Sequence, residues 1–215
     1  MTMPTLYHCR DARSFRVLWM LEELGIAYRL ENLPFPPRDK APAFLADNPL
    51  GTVPLLVDGA VRMTESAAIC HYLATTYGDG HLARGPGDAG YPAYLDALFF
   101  GEATLTFPQT LVLRYALFEP EARRQPQVAE DYRRWYLGRL IGLESLLERD
   151  GGHVAGAAFS AADISVGYAL MLADMLRLDP GSARISAYWG RLRPRPAFLR
   201  AKAAQLGPWF PWREM

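Results

Sequence analysis

Two clusters of residues in this chain have the types and spacing to do chemistry. The first is Tyr7, Cys9, Arg10, Arg13 and Ser14, gathered where a short apolar run gives way to an amphipathic stretch. A phenol, a thiol, two guanidinium groups and a hydroxyl at a strand-to-helix turn can hold an anion, because positive charge, donated hydrogen bonds and a helix N-terminus all favour the ionised form. The second cluster is Glu65-Ser66, followed by Ala67, Ala68, Ile69, Tyr72 and Leu73 at helical spacing. A helix opening there offers unpaired N–H groups and the positive end of its dipole. Other chemistries lack their signatures. His8, His71, His81 and His153 have no metal-ligand spacing, no serine sits in a nucleophile elbow, and no glycine-rich phosphate loop follows a strand. No C-x-x-C follows the first strand, which excludes a dithiol mechanism, and Cys70 reads as core.

The elements that must position these residues follow from the pattern. Residues 5–8 form a short strand. Residues 14–24 form a helix with Val17, Leu21 and Leu24 on one face and Gly25 as its stop. Residues 28–33 alternate as a second strand. Pro34, Pro36 and Pro37 make a rigid loop, and 42–46 a short helix. Apolar runs 54–57 and 60–63 flank Asp58-Gly59, a strong hairpin signal. The order βαβ, α, ββα is thioredoxin-like, with a right-handed crossover. The stretch 78–90, rich in glycine, reads as a linker. Beyond it the chain is helical. Residues 94–118 form one long apolar helix with a kink or break expected at Pro108, and 128–148 form a second, ended by Gly151-Gly152. Ser160 and Asp163 form a capping box, with Phe159 and Ile164 as a hydrophobic staple. The nearly uncharged helix after it, to about Arg177, should be central. Arg195-Pro196 opens a last helix, and 207–215 is an aromatic tail.

Composition narrows the classes. The chain has 215 residues, 50% of them apolar, enough for a sizeable core. Its formal net charge is zero, which argues for neither a nucleic-acid nor a membrane surface. The opening MTMPTLYHCRDAR has no apolar signal core, and with Cys9 and Cys70 as the only cysteines a reducing cytoplasm is the expected compartment.

Val53-Pro54 before a strand, then Glu65-Ser66 and Ile69 opening a helix, resembles the glutathione-binding half of glutathione S-transferases. The resemblance covers nearly the whole chain and is strongest at 14–24, 48–73 and 159–164. It implies a thioredoxin-like α/β N-terminal domain (1–78), a linker (79–90) and an all-α helical C-terminal domain (91–215), the glutathione S-transferase fold. It also implies that Val53-Pro54 is cis, that the Val53 backbone pairs with the tripeptide, that Glu65 accepts from its α-ammonium, and that Ser66 takes the γ-glutamyl carboxylate. Many relatives carry Lys before the Val-Pro pair. This chain has Thr52, leaving Lys40 or Arg38 for the glycyl carboxylate. The serine that activates the thiol in relatives aligns with Ala12, which donates nothing, and the cysteine of one bacterial class aligns with Arg13. The activator is then one of Tyr7, Cys9, Arg10, Arg13 and Ser14. Cys9 also opens a single-cysteine reductase or isomerase route, and a non-catalytic glutathione-binding protein is the alternative from another class. By the same analogy Phe99, Ala103, Phe107, Trp209 and Trp212 line an electrophile pocket between the domains, and no metal is required.

The resemblance, and the apolar run 94–118, predict a homodimer, since a second copy would bury the extra apolar face. Light scattering at micromolar concentration should give twice the chain mass; a monomer refutes it.

Overall fold

The computed structural model describes residues 3–149 and 152–207. In chain order the elements are β1 (Thr5–His8), α1 (Ser14–Leu24), β2 (Arg29–Asn32), α2 (Pro37–Lys40), a 3-10 turn at Pro42–Ala46, β3 (Leu55–Asp58), β4 (Val61–Met63) and α3 (Ser66–Tyr77). Then come α4 (Tyr91–Phe99), α5 (Phe107–Leu113), α6 (Pro126–Glu148), α7 (Ala161–Met175), α8 (Ala183–Leu192) and α9 (Pro196–Ala204). The chain divides into two compact units, Met1–Ala83 with Arg193–Met215, and Arg84–Leu192. No helix among the described residues is long and apolar enough to cross a membrane.

The first unit is the thioredoxin-like half. Its sheet runs β2-β1-β3-β4, with β1 parallel to β2 and antiparallel to β3. Leu6 stands opposite Leu30 on one side and Leu56 on the other. Alternation along β1 buries Leu6 and His8 and sends Thr5 and Tyr7 to the other face. Helix α1 is buried from Ser14 to Leu21, more than one stripe, because β1, α3 and α9 all pack on it. Gly25 ends it in the left-handed region at φ 63°. Phe198 of α9 meets Phe15 and Trp19 edge-on, at 5.4 and 4.9 Å. Arg195 grips Glu23 through two bonds of 2.7 and 2.8 Å. These contacts draw α9 into the first unit, whereas the sequence boundary placed it in a helical domain spanning 91–215.

The second unit is helical and built around α7, whose residues 161–173 are all buried. Its start carries the expected capping box. The buried Asp163 carboxylate accepts from the N–H of Ser160 (2.9 Å) and Val154 (3.1 Å) and from the hydroxyl of Tyr188 (2.8 Å). Residues 91–118 stay helical throughout, so Pro108 does not break the chain. Instead 100–106 and 114–118 widen into π-helix around α5. A proline lacks the N–H an α-ladder needs, and the i→i+5 pattern passes it: the Phe107 N–H reaches Glu102 O. Gly101 lies where a Cβ would fall 2.6 Å from the Ser165 backbone, so only glycine lets α7 approach this closely.

Three smaller expectations shift. The hairpin loop is Gly59-Ala60, because Asp58 still pairs with Val61 and Gly59 takes the positive φ of 58°. Pro37 begins a short helix within the proline loop, as a fixed φ permits. Helix α7 stops at Met175, with Arg177 at φ 54°. Gly151, expected to end α6, lies outside the described residues.

Asp163→Ala would leave the Ser160, Val154 and Tyr188 donors buried without an acceptor. It should cost about 3–5 kcal/mol of stability, measured by urea unfolding.

Candidate functional site

The loop before β3 is shaped by one side chain that sequence reasoning passed over. Buried Asn48 donates from Nδ2 to Thr52 O (2.8 Å) and accepts from the Leu50 N–H (3.1 Å). The Gly51 N–H returns to Asn48 O (2.8 Å), and Gly51 adopts φ +61°, with Arg38 Cβ too near for any side chain there. Out of this turn comes Val53-Pro54, which is cis as expected. The Val53 N–H and C=O enter no backbone bond among the described residues, so a strand-like segment can add there. Arg38 is tied to Leu50 O at 2.5 Å, while the side chain of exposed Lys40 makes no hydrogen bond or ion pair among the described residues. Thr52 is exposed.

At the start of α3, Glu65 holds an extended backbone (φ −88°, ψ 112°) just before the first turn. Its side chain is exposed and makes no hydrogen bond or ion pair among the described residues. Ser66 is 3% exposed, and its Oγ accepts from Arg16 Nη1 at 3.3 Å. Arg16 rises from α1 with no exposed surface. Its charge counters part of the burial effect that pushes the Cys70 thiol up to about 12. Ser66 therefore combines a hydroxyl, a helix N-terminus and a guanidinium, an arrangement suited to a carboxylate. The available signal for Arg16 was an arginine inside the otherwise apolar run FRVLWML.

The turn between β1 and α1 assigns its polar groups tightly. The Asp11 N–H donates to Gln205 Oε1 at 2.7 Å, so that atom is an acceptor. His8 Nε2 lies 3.0 Å from the same oxygen and must donate to it. Burial drops the His8 pKa to about 4, so at neutral pH the ring carries one proton and Nδ1 is an acceptor. Ser14 Oγ, 2.8 Å from Nδ1, spends its single proton there, and it accepts from the Cys9 N–H at 3.3 Å. Ser14 is fully buried, and its hydroxyl proton is engaged by His8. Cys9 is also fully buried; burial pushes its thiol up to about 12, so it stays protonated at neutral pH. Its Sγ faces Pro34 O at 3.8 Å. The Tyr7 hydroxyl points to Asp47 at 3.5 Å, and burial and then Asp47 raise its pKa, which opposes phenolate formation. Ala12 lies in the turn itself, its N–H bonded to Cys9 O at 3.1 Å. Arg10 and Arg13 are half-buried, and Arg13 stands at the N-cap position of α1.

In the second unit Phe99, Ala103 and Phe107 share one exposed helical face; the two phenylalanines keep 53% and 51% of their surface. Trp209 and Trp212 lie outside the described residues.

Residues 12–76 match the family model for the glutathione S-transferase N-terminal domain. The chain is 30% identical over 203 residues to glutathione S-transferase 4 of Zea mays, covering 90% of this chain and 87% of that protein. It is 35% identical over 103 residues to glutathione S-transferase 3 of Schizosaccharomyces pombe, a match spanning 48% of this chain and 43% of that one. Among solved structures, it superposes with TM-score 0.79 and 26% identity on the theta class glutathione S-transferase of Xanthomonas axonopodis pv. citri with glutathione bound, covering 96% and 100% of the two chains.

His8 predicts a pH dependence of folding. Its folded pKa, about 4, lies below the ordinary 6.5, so between these values the unfolded chain binds the extra proton. Stability is therefore unaffected by this group above pH 6.5 and falls as pH drops toward 4. The expected loss is on the order of 3 kcal/mol. His8→Asn should flatten that part of the denaturation profile relative to wild type.

Proposed function

This chain belongs to the glutathione S-transferase family, and on that premise we propose that it binds glutathione and transfers the thiolate to a small hydrophobic electrophile. The observation that carries the reading is that one unit holds an open Val53 backbone, an unengaged Glu65 carboxylate, and Ser66 backed by a guanidinium. Val53 pairs with the cysteinyl backbone of the tripeptide. Glu65 accepts from the α-ammonium. Ser66, with Arg16 behind it, receives the γ-glutamyl carboxylate. Lys40, or Arg38 beside it, meets the glycyl carboxylate, and Thr52 takes no charge part.

Activation falls to charge and dipole rather than to a side-chain hydroxyl. With Ser14 donating to His8 and Tyr7 directed at Asp47, we assign this part to the dipole at the start of α1 and to the positive charge of the half-buried Arg13 and Arg10. Both favour the thiolate over a thiol of ordinary pKa near 8.5. The rest of the rate comes from holding thiolate and electrophile together. Phe99, Ala103 and Phe107 offer an exposed apolar face suited to a hydrophobic electrophile. The protein works as a homodimer in the cytoplasm, where its two buried, unpaired cysteines stay reduced. The protonated Cys9 disfavours the reductase route. A binding protein without catalysis is the second reading, favoured by Ala12 and by the engaged Ser14 hydroxyl.

Glu65→Ala should weaken glutathione binding about ten- to a hundredfold by calorimetry, the loss of one charge-assisted bond, with the fold intact. Ala12→Ser should leave affinity nearly unchanged and speed conjugation. A wild type that binds no glutathione ends the transferase reading. One that binds, and conjugates nothing even with Ala12→Ser, favours the binding protein.

A further inference from the structure

The stretch after α9 returns to the β1–α1 turn and ties it down at several points. Gln205 is 5% exposed and reaches residues 194 and 197 positions away. Its Oε1 accepts from the Asp11 N–H and from His8 Nε2, and its Nε2 donates to Asp11 Oδ1 at 3.0 Å. Lys202 donates to the same Asp11 oxygen. The Leu206 N–H reaches Asn32 Oδ1 at 3.2 Å, and Arg10 Nη1 reaches Gly207 O at 2.9 Å. Asp11 itself sits at φ 56°, a backbone state that L residues other than Asn and Asp seldom adopt, and it is 3% exposed.

We propose that Gln205 is a positioning residue for thiolate formation: its amide holds the β1–α1 turn, and so the start of α1, in the geometry that receives the ligand sulfur. This rests on the proposed reading that glutathione is the ligand and that its sulfur meets the start of α1. The argument is one of bond direction. A single amide satisfies the Asp11 N–H and the Asp11 carboxylate, and sets which nitrogen of His8 carries the proton. That nitrogen in turn decides that the Ser14 proton points to His8 while Ser14 Oγ holds the Cys9 N–H. Four residues of the turn, 8, 9, 11 and 14, thus take their orientation from one side chain of the far end of the chain. Without the amide, the buried Asp11 N–H and the His8 Nε2–H lose their acceptor, and the Asp11 carboxylate oxygen is left to Lys202. The turn then relaxes, and displacing a reacting group by about 1 Å can cost as much as about a hundredfold in rate.

The test uses the full chain carrying Gln205→Ala, and Gln205→Met, which keeps the length and loses the amide. The ultraviolet absorbance of the bound thiolate is titrated against pH, beside kcat and KM for conjugation of a chlorinated nitrobenzene. Both variants should raise the apparent pKa of the bound thiol by about one unit and lower kcat about tenfold near neutrality, with KM for glutathione within about twofold. Arg195→Ala, which removes the Glu23 pair at the other end of α1, should lower the thermal midpoint and leave the titration in place. The inference is overturned if wild type binds glutathione with a depressed thiol pKa and the Gln205 variants lose only thermal stability. A wild type that binds no glutathione overturns the proposed function and this inference together, and that outcome is visible before any variant is made.

Discussion

The first unit is arranged around a helix that water does not reach. Eight consecutive residues of α1, from Ser14 to Leu21, are buried, and one of them is Arg16. A helix in such a place needs partners for the N–H groups of its first turn, and a guanidinium inside it needs polar contact, because unmatched buried polar groups cost several kcal/mol. The solutions to these two demands lie at opposite sides of the helix and become the two halves of the candidate site. Arg16 reaches across to Ser66 and gives the start of α3 a fixed positive charge. The turn before Ser14 is closed by the β1 histidine and by a glutamine from the far end of the chain.

Charge is distributed accordingly. The start of α3 carries, at Glu65, a carboxylate without a partner among the described residues, beside a hydroxyl backed by Arg16, a pattern complementary to an amino acid's ammonium and carboxylate. The β1–α1 turn offers no proton donor of the usual side-chain kind, since the hydroxyl nearest to it points inward.

The second unit shows the same economy of buried polar groups. Asp163 draws together the chain before α7, the first turn of α7 and a tyrosine of α8. The Ser165 hydroxyl and the Gln109 amide occupy carbonyls at Leu98, Leu105 and Ala169, where helices approach over Gly101. The π turns flanking α5 reconcile this tight packing with a proline in mid-helix.

What the sequence by itself determined is local. The hairpin, the capping box at Ser160, the stop at Gly25 and the start of α3 at Ser66 each follow from residues within a few positions of one another, whose turn and cap chemistry has few solutions, while the cis Val53-Pro54 followed from the family motif. The candidate set Val53, Glu65 and Ser66 came from the motif's resemblance to the family, being contiguous with those signals. Only the tertiary structure decided the rest. The hairpin loop moved by one residue because Asp58 pairs with Val61, and the Asp58 carboxylate also accepts from the hydroxyls of Tyr72 and Tyr77 on α3. Pro108 was absorbed rather than breaking the helix because neighbouring turns widened. Ser14 and Cys9, candidates by position, proved to be buried and engaged, because whether a hydroxyl or thiol can ionise or donate depends on burial and partners rather than on residue type. Arg16, Asn48 and Gln205 acquire meaning from contacts that the chain order does not reveal. The last of these lies 194 residues from its partner Asp11, and no periodicity or cap rule reaches across such a separation.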